Sequence, residues 1–147
     1  MFAIAHLLGD DHNRCDEIFA QAEAAVSQGQ WDEAERRFAD FRAALVRHFA
    51  AEEQTLFPAF EARTGMVAGP TQVMRAEHAQ MNGLVERMAE ALARRNDRAY
   101  LGESETLLML MRQHNLKEEQ ILYPMADRAL GPDQALMSAL AETLASE

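Results

Sequence analysis

Two stretches of this chain carry the same set of residues able to hold a metal ion. Residues 48–61 read HFAAEEQTLFPAFE and residues 114–127 read HNLKEEQILYPMAD. His, Glu, Glu, Gln, Leu and Pro coincide, and Phe57/Tyr123 and Glu61/Asp127 are close exchanges. His48 and His114 are 66 residues apart, as are His12 and His78. One pattern is therefore written twice: His12, His48, Glu52, then His78, His114, Glu118.

A single HxxxE is weak evidence, because it commonly marks an i,i+4 pair on a helix surface. Recurrence of all six residues at one offset is not explained that way. Each His and Glu share a helix face, and that face is otherwise apolar, with Phe41, Leu45 and Leu56 on one stretch and Leu107, Met111 and Leu122 on the other. Carboxylates buried without partners take up protons or destabilise the fold. Metal cations remove that conflict: neutral imidazoles supply nitrogen donors and carboxylates can join two ions. Imidazole and carboxylate without a thiolate cluster suit iron or manganese better than structural zinc. Two histidines per ion and two shared carboxylates leave coordination positions open for water or a small ligand.

Four helices must position these residues. The first is expected over residues 3–28, with Gly9-Asp10 as an alternative start that leaves residues 1–8 as a lead-in. The second runs from about Trp31 to Glu61, with Phe38, Phe41, Leu45, His48, Glu52 and Leu56 on one stripe. Pro58, lacking an N–H, should bend or end it. The third runs from Pro70, which suits a first helical position, to about Arg95. Its stripe is Met74, His78, Met81, Val85, Met88 and Leu92. Asn96 or Asp97 can cap the fourth, which runs from about Ala99 to Arg128, with Pro124 repeating the role of Pro58. Beyond Gly131-Pro132, residues 133–146 form a short amphipathic helix whose Leu136, Leu140 and Leu144 should pack over one end. The expected architecture is all-α: an up-down-up-down four-helix bundle with a short C-terminal helix, in one domain over residues 1–147.

Composition narrows the function. A content of 48% hydrophobic residues with only 7 Gly and 4 Pro favours helix. A net charge of -10 argues against a nucleic-acid partner, which needs clustered Lys and Arg. No apolar run approaches the ~20 residues of a membrane span, and the acidic start is unlike a secretory signal. The lone Cys15 excludes an intrachain disulfide and fits a reducing compartment, so a cytoplasmic protein is expected. Packed near the His12 face, its thiol reads as inert core.

The pattern of His, HxxxEExxLFP, EH and HxxxEExxLYP resembles the hemerythrin-like (HHE cation-binding) family from residue 8 to about 128. The resemblance implies a four-helix bundle holding two iron ions with an oxo or hydroxo bridge. Carried over by position, His12 and His48 serve one iron, His78 and His114 the other, and Glu52 and Glu118 join them. There are departures. The oxygen-carrying members have one more His a turn after the third, where this chain has Asn82, which argues against simple reversible oxygen storage. They also place the last carboxylate five residues after its His, which would choose Glu119. Glu118 is preferred because it matches Glu52 in the repeat. Asp16, the repeat mate of Asn82, is a possible additional ligand, as are Glu119 and His6, although His6 has no repeat mate. The outer glutamate of each pair, Glu53 and Glu119, is expected to be a surface charge unless it is that ligand. Phe57 and Tyr123 should pack beside the site, where the Tyr123 hydroxyl could hydrogen-bond.

The function expected is a di-iron binding protein handling oxygen, nitric oxide, peroxide or iron itself in sensing, storage or stress protection. The alternatives are a di-iron peroxidase or oxidase, and a metal-stabilised helical interaction module.

Overall fold

A computed structural model describes residues 2–146, which form helices and no strand. Helix α1 spans Ala3–Ser27, so the alternative start at Gly9 is not used. Asp127, far along the chain, replaces a local cap. The Ile4 N–H donates to Asp127 Oδ1 at 2.9 Å and the Ala5 N–H to Oδ2 at 3.1 Å. First-turn N–H groups have no acceptor within their own helix, and the dipole there favours an anion.

The expected break at Pro58 takes another form. Helix α2 spans Trp31–Ala50, a π-helical segment follows over Ala51–Leu56, and helix α3 continues over Phe57–Thr64. The Phe57 N–H donates to the Glu52 carbonyl, five residues back. Pro58 thus falls in the first turn of α3, directly after the widened turn. Helix α4 starts at Pro70 as expected and spans Pro70–Ala93. Helix α5 spans Asp97–Lys117 and is capped by Asn96, whose side chain accepts from the Ala99 N–H at 3.1 Å. A second π-helical segment, Glu118–Leu122, leads into helix α6, Tyr123–Leu130, with Pro124 in its first turn. Helix α7 spans Gln134–Ala145.

The chain therefore makes four long rods: α1; α2 through α3; α4; and α5 through α6. Packing is most extensive between α1 and α2 and between α4 and α5, while α1 also meets α5 and α2 meets α4. The apolar stripes form two separate clusters. One holds Phe19, Phe38, Phe41, Met81, Met88 and Leu107; the other holds Ile4, Leu8, Leu56, Phe60, Met74 and Leu122. Leu136, Leu140 and Leu144 of α7 join the second, and α7 lies against α1, α2 and the first π-helical segment. No helix among the described residues is long and apolar enough to cross a membrane.

Candidate metal centre

On every rod, the stretch between the two apolar clusters carries the residues that the repeat singles out. His12, His48, Glu52, His78, His114 and Glu118 are all buried, none more than 3% exposed. Their donor atoms converge in two groups: His12, His48, Glu52 and Glu118, and Glu52, His78, His114 and Glu118. Within each group the atoms lie within 4.8 Å of one another, and both carboxylates belong to both groups.

All four imidazoles are oriented alike. Nε2 faces the centre and Nδ1 faces a carboxylate outside it. Nδ1 of His12 meets Glu119 at 2.6 Å, that of His48 meets Asp11 at 2.8 Å, that of His78 meets Glu53 at 2.5 Å and that of His114 meets Glu77 at 2.8 Å. An ionised carboxylate only accepts, so each Nδ1 carries the proton and donates it, leaving the Nε2 lone pair for the centre. The four carboxylates obey the same repeat: Asp11 matches Glu77, and Glu53 matches Glu119.

These partners correct the sequence-based expectation. Glu53 and Glu119 are about half exposed, with side chains 40% and 44% accessible, yet they are not idle surface charges. Glu119 orients His12 and is not among the converging donors. Asp11 and Glu77 had no expected role. Each precedes a site histidine, and that spacing turns it off its own helix's inner face, from where it reaches the imidazole of a neighbouring rod. Their recurrence at the common offset was the available signal. Two cations brace the pair: Arg14 bonds Asp11 at 2.7 Å, and Lys117 bonds Glu77.

The remaining candidates fall outside the centre. His6 is 83% exposed in its side chain and pairs with Asp10 at 3.4 Å. Asp16 is half-buried, its carboxyl pushed up by burial against the pull of His12, and it joins neither donor group. Asn82 is exposed and fills no gap. Cys15 is buried, and burial beside Asp11 pushes its thiol up to about 12, which suits inert packing. Tyr123 lies closer in than expected: its hydroxyl donates to Glu52 Oε2 at 2.6 Å and also lies 2.9 Å from Glu118 Oε1.

The donor set fits a cation on its own geometry. Glu52 Oε1, His78 Nε2, His114 Nε2 and Glu118 Oε2 are buried without any hydrogen-bond partner. His78 Nε2 and Glu52 Oε1 stand 3.1 Å apart, and with the His78 proton on Nδ1 two lone pairs face each other. Orphaned buried acceptors are rare and costly. A cation between them satisfies all four.

Electrostatics couple that cation to protons. Burial alone would lower the His48 pKa, but Glu52, Asp11 and Glu118 outweigh it and raise it from 6.5 to about 10. Burial would raise Glu52, but the His48 charge and surrounding hydrogen bonds hold it well below 4.5. In metal-free protein the raised His48 value adds stability that is full below 6.5 and is lost as pH climbs through about 10. A cation held by His48 Nε2 would require that proton to have left. Between pH 6.5 and 10, the gap in melting temperature between metal-loaded and metal-free protein should therefore widen. Paired thermal melts across that range check it, and a constant or narrowing gap would contradict it.

Paired imidazole-carboxylate donors in a helical bundle define a cation-binding class. The family model of the hemerythrin HHE cation binding domain matches residues 3–126, and the chain belongs to that family. No curated protein and no solved structure matches the chain.

Asn or Gln replacements of the outer carboxylates test their role. D11N, E53Q, E77Q and E119Q should each weaken metal affinity by about 10–100-fold, the usual cost of losing an outer partner of a metal-bound histidine. Stoichiometry should recover at saturating metal. Competition against a chelator measures this, with H6A, which should bind as the unaltered protein does, as control.

Proposed function

We propose that this chain is a single domain over residues 1–147 whose four rods run up, down, up, down around a di-iron centre. His12 and His48 hold one iron, His78 and His114 hold the other, and Glu52 and Glu118 join the two. The observation that carries this reading is the membership of both carboxylates in both donor groups. The absence of thiolate from those groups favours iron or manganese over structural zinc. When bound, such a pair of ions supplies redox-active coordination chemistry for a small ligand, with oxygen, nitric oxide and peroxide as the candidates.

The chain's own residues define the setting for that chemistry. Asp11, Glu53, Glu77 and Glu119 aim the imidazoles. Phe49 stacks on His78 with ring centroids 3.8 Å apart and, with the buried Phe57, limits water on that side. The protein thus binds the small ligand, or iron itself, for sensing, storage or stress protection, in the cytoplasm.

Ferrous iron added without air, followed by oxygen, nitric oxide or peroxide in turn, tests this function. A spectral change that saturates is expected. Sustained peroxide turnover with an electron donor would transfer the reading to an enzyme. No response to any of the three would overturn the small-ligand role.

A further inference from the structure

Tyr123 breaks the symmetry of the repeat inside the donor set. Its mate is Phe57, and the two rings are equivalently placed. Tyr123 stacks on His12 with centroids 5.7 Å apart and planes 25° apart, and Phe57 stacks on His78 at 5.9 Å and 20°. Only Tyr123 carries an oxygen. That oxygen is 2.6 Å from Glu52 Oε2, 2.9 Å from Glu118 Oε1, 3.2 Å from His12 Nε2 and 3.3 Å from His48 Nε2. Donors bound at ~2.0–2.2 Å on perpendicular axes of one ion lie about 3 Å apart. The hydroxyl oxygen therefore stands close to ligand-to-ligand spacing from the first group, nearest Glu52 and farthest from His48. The second group has no such oxygen, and His78 Nε2 and His114 Nε2 remain without partners.

We propose that Tyr123 is a fifth donor to the ion held by His12 and His48, and that the open coordination position belongs to the other ion. The O–H bond breaks as the oxygen–metal bond forms, the proton passes to solvent, and no electron is transferred. The two halves of a repeated site thereby become inequivalent: one closed by Tyr123, the other left with a coordination position for a small ligand. This inference rests on the two-ion reading above.

The test loads the full chain with ferrous iron without air, oxidises it in air, and measures iron content and the visible and resonance Raman spectra of the same sample. Two irons per chain with phenolate-to-iron absorption and phenolate vibrations are expected. Y123F should keep two irons and lose both signals, and F57Y should roughly double them. Two irons with no phenolate vibration in the unaltered protein, or an unchanged spectrum in Y123F, would overturn the proposal and leave Tyr123 a hydrogen-bond donor only. Should Y123F fail to fold, the Raman spectrum of the unaltered protein decides alone. Fewer than two irons in the unaltered protein would overturn the two-ion reading, and this inference with it.

Discussion

Chelating the metal should lower the melting temperature by roughly 15–30 °C. Ligand that binds only the folded state stabilises it by about 4 kcal/mol when present at a thousand times its dissociation constant. Two such ions contribute about 8 kcal/mol, and each kcal/mol moves the melting temperature of a chain this size by ~2–4 °C. The structure gives a reason to expect the full effect. Without a cation, two fully buried carboxylates and four inward-facing imidazole nitrogens confront one another, and four of those buried atoms lack partners. Calorimetry of one preparation before chelation, after it and after adding back iron checks this. A shift of only a few degrees would mean that the centre contributes little to the fold.

Glu52→Gln and Glu118→Gln should each take the protein from two ions per chain to fewer than one. Glutamine keeps the side-chain volume, so packing is little disturbed, but it removes the charge that joins two cations. Because each carboxylate sits in both donor groups, each substitution strikes both ions together. The cost at each ion should exceed the ~10–100-fold expected for an outer partner. Elemental analysis at matched metal concentration measures the result. Two ions retained in either variant would refute the shared role of that carboxylate. One ion retained would show that the two groups are independent.

The residues whose donor atoms converge were legible because helical periodicity and an internal repeat both point to them. His48 and Glu52 occupy positions of an apolar stripe, as do His114 and Glu118, and the stripe is what is buried. What escaped sequence reading involves either contacts between rods or departures from α-helical spacing. Asp11 reaches His48, and Glu53 reaches His78, across helix boundaries that spacing on one helix cannot express. The Asp127 carboxylate caps a helix that begins more than a hundred residues earlier. Tyr123 is expected beside the site with its hydroxyl able to hydrogen-bond; the reach of that hydroxyl to both carboxylates is of the second kind. Five residues past Glu118, Tyr123 lies about 140° round an α-helix of 3.6 residues per turn. The π-helical segment widens the turn, pairs the Tyr123 N–H with the Glu118 carbonyl and brings ring and carboxylate onto one face. Pro124 signals that departure in the sequence but does not reveal its form.

The most direct measurement is the metal content of protein prepared without a metal-scavenging tag and loaded with ferrous iron under anaerobic conditions. Two irons per chain, held through desalting, are expected. No retained metal would contradict the account at its centre, and one iron per chain would contradict the shared-carboxylate pair.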